Sequence, residues 1–155
     1  MSSFNRGFII FLATGAYSGF SPIMPGTAGS VVGVLLFIII ASFSVPVYFL
    51  TILAFIALSV WVSERAEKIF EKEDASQIVI DEIAGYFVTM AFLPCDWRYI
   101  AAGFVLFRIF DIIKPYPANR INDNVHGGVG VVFDDIVAGV YANLVLQVIL
   151  FFNIF

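Results

Sequence analysis

The chain has 155 residues, a length that fits one domain, and 61% of them are hydrophobic against 13% charged. A soluble protein of this size could not bury so much apolar surface, with 18 phenylalanines among it. The net charge of −4 and the lack of a basic stripe argue against a nucleic-acid partner, and the single cysteine, Cys95, excludes an intrachain disulfide or a CxxC metal pair.

In chain order, no charged side chain occurs from Gly7 to Ser63. A spanning helix needs about 20 apolar residues, so this run can hold two spans and a shorter piece. Arg6 precedes the run, but no small-residue cleavage site closes it, so the start does not read as a removable signal peptide. Residues 4–20 read as an interfacial or re-entrant helix. They lead into Ser18–Ser30, where Pro22, Pro25, Gly19, Gly26 and Gly29 make irregular backbone. Such backbone is tolerated in a membrane only where protein or a wet cavity satisfies it.

Spans are expected over 27–43 and 46–63, broken near Pro46, and the second runs into a solvated helical extension through Asp74, with Glu64 and Lys68 one turn apart. A third span is expected over 78–93, ending at Pro94, and a fourth over 98–114, stopped by Pro115 and Pro117. A polar, Gly-rich stretch, 118–130, leads to a fifth from Val131 to the C-terminus. The fold class is therefore all-α: a single membrane-embedded domain over 1–155, with about five spanning helices and a short N-terminal helix. One face of this arrangement receives Arg6, Arg65, Lys68, Lys72, Lys114 and Arg120, and the other only Arg98. The positive-inside rule puts the first face in the cytoplasm.

The chemistry-bearing residues fall at that same face. Asp81-Glu82 and Asp134-Asp135 each interrupt an apolar run, where unpaired ionised groups cost several kcal/mol. As ordinary helix-start carboxylates they would be favoured by the macrodipole. Two such pairs point instead to a shared site, whose hard oxygen donors suit Mg²⁺. Asp81 and Asp135 each precede a glycine by four positions, within D-x-x-A-G, which puts each carboxylate above a flat patch where another helix can approach. Arg108, Asp111 and Lys114 follow at turn spacing near the end of the fourth span. Arg108 and Asp111 could be an interfacial ion pair, with Lys114 reaching to the surface. Alternatively Arg108 forks onto phosphate oxygens, with Asp111 orienting it or joining the metal site. His126, the lone histidine, precedes the Gly-rich turn before Asp134 and is a candidate for proton transfer or phosphate contact. Ser21, Thr27 and Ser30 could offer hydroxyls, with nearby backbone N–H groups, to an anion. No Cys-x₅-Arg loop, D-x-D aspartyl-phosphate motif or histidine pair is present, which leaves a metal-activated water for hydrolysis.

Four stretches, 19–30, 78–85, 101–115 and 124–139, resemble the phosphatidylglycerophosphatase A family of bacterial membrane enzymes. The resemblance implies a short, all-helical, Mg²⁺-dependent hydrolase of the bacterial cytoplasmic (inner) membrane. It would convert phosphatidylglycerophosphate to phosphatidylglycerol and phosphate, on the way to cardiolipin. Site residues are then expected at Asp81, Glu82, Asp134, Asp135 and His126 for catalysis, and at Arg108, Lys114, Ser21, Thr27 and Ser30 for substrate. Asp81, Glu82, Asp111, Asp134 and Asp135 are the metal candidates. A CDP-alcohol phosphotransferase would carry a long aspartate string that is missing here. A small ion or proton transporter would place its charges near mid-bilayer with access from both faces. Oligomeric state has no signature in the sequence. The topology makes a direct prediction: a cysteine introduced at Glu71 reacts with an impermeant label only from the cytoplasmic side, and labelling from outside would invert the arrangement.

Overall fold

The computed structural model describes residues 3–154. These form seven α-helices: α1 (Ser3–Ala13), α2 (Pro25–Ile40), α3 (Val45–Phe70), α4 (Ile80–Thr89), α5 (Trp97–Ile113), α6 (Ala118–Asn124) and α7 (Gly127–Phe151), with one 3₁₀ turn at Ser18–Phe20. The all-α expectation therefore holds. Two of the described helices, α3 with 26 residues and α7 with 25, are long and apolar enough to cross a membrane. Only 22% of α3's most apolar stretch is buried, so its apolar side chains are not explained by a protein core. Large apolar side chains on α2, α5 and α7, among them Leu35, Ile39, Val105, Ile112, Leu144 and Val148, are likewise exposed. Such a belt belongs against lipid, and the protein is membrane-associated.

The expected elements shift in instructive ways. The N-terminal helix ends at Ala13, because Gly15, Ala16 and Tyr17 take positive φ and turn the chain. The extension beyond the second span is one helix with it, α3. The polar stretch from 118 contains a short helix, α6. The largest change is the third span: α4 has 10 residues, about 15 Å at 1.5 Å each, where a bilayer core needs about 30 Å. Its last carbonyls are taken by α7. Asn143 Nδ2 donates to Thr89 O (2.9 Å) and Ala91 O (2.8 Å), and Gln147 Nε2 donates to Ala91 O (3.2 Å). A helix end without side-chain or water partners would be costly in apolar surroundings, and these two amides supply them. At the same end of the molecule Asp96 caps α5, and hydrogen bonds from the Arg98 side chain and backbone N–H hold its carboxyl down to about 2.

Helix α4 is enclosed by α2, α3, α5 and α7, with Tyr86, Phe87 and Met90 buried among Phe37, Phe107 and Leu146. Its closest approach is to α7, and it depends on glycine. A Cβ on Gly85 would stand 2.8 Å from Asp135 O and 2.6 Å from Phe107 Cε2, and one on Gly139 would collide with Gly85 O. The two helices run side by side in one direction, so Asp81, Gly85 and Thr89 meet Asp135, Gly139 and Asn143 in turn. The flat patches expected beneath Asp81 and Asp135 are thus each other's packing surface. Gly139→Ala or Gly85→Ala is expected to lower stability by about 1–3 kcal/mol, the usual penalty of overpacking, read as a fall in melting temperature in detergent. Gly7→Ala, inside α1 where a Cβ meets nothing within 4 Å, should not lower stability and is expected to raise it by about 0.5–1 kcal/mol.

Candidate active site

The α4–α7 crossing brings the two acidic pairs together at one end of the bundle. Both pairs are built alike: Asp81 Oδ1 accepts from Glu82 N (3.1 Å), and Asp134 Oδ1 accepts from Asp135 N (3.0 Å). The chain entering α4 is fixed from outside, since Val79 N donates to Ala13 O (2.8 Å) and Gly19 packs against Gln77 O. At the other side α5 delivers Arg108 and Asp111 one turn apart. Lys114 then caps α5 with φ +46, a left-handed conformation that non-glycine residues adopt at a cost of about 1–2 kcal/mol. That turn aims its ammonium at Asp134 and at Asn122 Oδ1 (3.0 Å).

The result is a cleft of about 430 Å³ lined by Asp81, Glu82, Arg108, Asp111, Lys114, Asp134 and Asp135. Asp81, Asp134 and Asp135 are buried, and the side chains of Glu82 and Asp111 are nearly so. Two carboxylates have cations of their own: Asp111 pairs with Arg108, and Asp134 with Lys114. Glu82 comes only to 3.9 Å of Arg108, and its Oε2 is buried with no hydrogen-bond partner. Asp81, Glu82 and Asp135 can each present an oxygen within 4.8 Å of the other two. Three clustered carboxylates without a matching cation are strongly repulsive, and a divalent ion relieves that repulsion.

The first turn of α2 forms the opposite wall. Met24 caps it in the left-handed region, Pro25 occupies the first turn, and Gly26 lies against the charged groups. A Cβ on Gly26 would run into Glu82 Oε1 and stand 3.1 and 3.2 Å from the Arg108 nitrogens. Glycine here lets the helix start, with its free N–H groups, approach the site.

Seven of the expected site residues thus meet in one cleft. The others are placed differently. The hydroxyl of Ser21 donates to Ile23 O (2.8 Å) and that of Ser30 to Gly26 O (2.9 Å), so both serve the local backbone. Thr27 Oγ1 is buried without a hydrogen-bond partner beside the cleft wall, but does not line the cleft. His126 precedes α7, is well exposed, and lies 3.8 Å from Glu73 in a small adjoining crevice. Residues passed over as solvated also contribute. Asp74 and Ser76 overhang the cleft, Asn122 holds Lys114, and Glu64 Oε2 accepts from Gly128 N (3.1 Å) at the start of α7. None of these residues is set apart in the sequence from an ordinary solvated polar side chain.

No solved structure matches the chain. The family model for phosphatidylglycerophosphatase A matches residues 11–150. The chain is 40% identical over 139 residues to the phosphatidylglycerophosphatase A of Escherichia coli (strain K12), covering 89% of this chain and 81% of that one. It is 36% identical to the enzyme of the same name from Haemophilus influenzae, over 89% and 86% of the two chains. Identity is also 36% to a Bacteroides thetaiotaomicron protein provisionally named a phosphatidylinositol-3-phosphatase, over 90% and 91%. A match over nearly the whole length, with an acidic cleft at its centre, leads to one conclusion: the chain belongs to the phosphatidylglycerophosphatase A family, phosphoric monoester hydrolases that dephosphorylate phosphatidylglycerophosphate to phosphatidylglycerol.

Proposed function

We propose that the cleft performs this hydrolysis at the cytoplasmic face of the bacterial inner membrane, with Mg²⁺ seated on Asp81, Glu82 and Asp135. The observation that carries the reading is the division of five carboxylates: two hold Arg108 and Lys114 closely, and among the described residues the other three cluster with no cation nearer than Arg108, 3.9 Å from Glu82. The orphaned Glu82 Oε2 fits a ligand role. A bound Mg²⁺ would neutralise phosphate oxygens and acidify a water.

The chain's own groups do the rest. Arg108, steadied by Asp111, offers a planar fork to two phosphate oxygens, and Lys114 adds a point charge. The first N–H groups of α2 face the same anion. A water oxygen attacks phosphorus, its proton passing to Asp134, the cleft carboxylate outside both the ligand trio and the Arg108 pair. The P–O bond to glycerol breaks with its electron pair on the glycerol oxygen, which takes a proton from water, and Asp134 returns its own proton to water. The products are phosphatidylglycerol and inorganic phosphate.

Access from the bilayer follows if the chain is multi-pass, with α2, α3, α5, α7 and the segment from α4 to Asp96 each crossing. Supporting this, the ends of α3 and α5 and the starts of α2, α4 and α7 share one side of the bundle, and the lysine and arginine bias orients that side inward.

The reading is tested at the metal, the phosphate grip, the start of α2 and the headgroup. EDTA abolishes phosphate release from phosphatidylglycerophosphate and Mg²⁺ restores it, while full activity in chelator would sink the metal assignment. Asp81→Asn, Glu82→Gln and Asp135→Asn weaken Mg²⁺ affinity in titrations. Arg108→Lys keeps that affinity but loses about 2–4 kcal/mol in kcat/KM. If these variants lost only thermal stability, with normal turnover in the folded fraction, the residues would be packing features instead. Gly26→Ala melts near the parent temperature, because the atoms it meets end flexible side chains. Its kcat/KM nevertheless falls by on the order of 10²-fold through misplacement of Glu82 and Arg108. The Bacteroides relative makes phosphatidylinositol 3-phosphate the informative competing substrate, and a higher kcat/KM on it would reassign the headgroup.

A further inference from the structure

A second group of cations lies away from the cleft. Arg6 of α1 and Arg65 and Lys68 of α3 line a crevice of about 370 Å³, and none of its lining residues lines the acidic cleft. The two helices are packed through Ile9 and Ala13 against Val62 and Ala66, so cations from both are held together despite their repulsion. Glu71 is the acid among the lining residues, and Lys68 also bonds Glu64 at 2.7 Å. Arg65 is half-buried, its guanidinium 4.1 Å from the Trp61 ring centroid. Trp61 and Arg65 bracket the point where the long uncharged run ends at Ser63. Tryptophan below and arginine above is the pairing found where hydrocarbon meets headgroups.

We propose that this crevice binds the headgroup of an anionic phospholipid, its phosphodiester held by Arg6, Arg65 and Lys68. The cations compete poorly for a zwitterionic headgroup, whose own positive charge they would face, and well for one with net negative charge. The reading rests on the membrane embedding of α3 proposed above. The enzyme's own product is of this anionic class, so the site would hold the protein where that lipid accumulates.

The test uses the full chain carrying Trp97→Phe, which leaves Trp61 as its tryptophan. It is reconstituted in phosphatidylcholine vesicles containing a minor fraction of either brominated phosphatidylglycerol or brominated phosphatidylcholine, and Trp61 quenching is compared. Phosphatidylglycerol is expected to be enriched at Trp61 by about fivefold or more, the factor for a single cation near an anionic surface. Arg6→Gln with Lys68→Gln removes the preference, leaves Trp61 and Arg65 in place, and keeps basal hydrolysis in detergent. Arg120→Gln, which removes one cation elsewhere, preserves the preference. Equal quenching by both lipids in the parent would overturn the site, as would equal losses from Arg120→Gln. Loss of preference on adding inorganic phosphate, but not chloride at matched ionic strength, would replace the lipid by a small anion. Quenching by neither lipid would overturn the embedding itself, separating that failure from failure of the site.

Discussion

The contact on which the site depends is backbone against backbone, where Gly85 of α4 meets Gly139 of α7. Because neither position carries a Cβ, the helix axes approach until the carbonyl of one residue fills the space above the other. One turn back along each helix stand Asp81 and Asp135, so the same approach forces their carboxylates together. In lipid, apolar surface gives little drive for helix association, and small residues that allow close packing become the main adhesive. That adhesive here works against the repulsion of the groups it juxtaposes. The energy of the crossing is spent partly on keeping an acidic cluster in place.

Local chemistry then sorts that cluster. Asp111 and Asp134 each receive a basic partner from within or just beyond α5, and so are neutralised by covalent proximity and chain reversal. The remaining three have no such partner, and Arg108 and Lys114 are each committed to one carboxylate while still bordering the cleft. Pre-orientation by a carboxylate lets a cation meet a phosphate without first losing rotamer freedom, which is the usual advantage of a preorganised donor. Gly26 completes the enclosure by allowing a helix start to touch groups that any larger residue would displace.

Much of this was readable from residue order. The acidic pairs, the Arg108–Asp111–Lys114 face and the glycine spacing are local patterns, and charges within apolar runs stand out whatever the tertiary structure. The α4–α7 packing could be anticipated from Gly85 and Gly139 because close approach needs small residues on both partners. The length of α4 could not, because residues 83–93 carry neither charge nor proline and the amides that take the carbonyls of Thr89 and Ala91 lie on α7. Asn143 and Gln147 are polar residues within an apolar run, and nothing in the sequence identifies the carbonyls they serve. The hydroxyls of Ser21 and Ser30 misled in the opposite sense. Their free valence in the sequence is taken up by backbone only a few residues away, an outcome decided by turn geometry. Glu64 and Asp74 looked merely solvated because nothing nearby in sequence revealed that α7 and the cleft would lie against them.

The dependence of α4 on α7 also bears on how the protein comes to exist in the membrane. Helix α4 is the fourth helix to leave the ribosome, whereas Asn143 and Gln147 lie in the last one. Until α7 is made and has moved alongside, the carbonyls of Thr89 and Ala91 have no amide to receive them, and a 10-residue helix is a poor substrate for lateral release into lipid. In the embedded arrangement, α4 therefore takes its final position late, after chain completion, and the cleft carboxylates are assembled in the same event. In that arrangement, assembly of the cleft and the last step of membrane integration are a single closure.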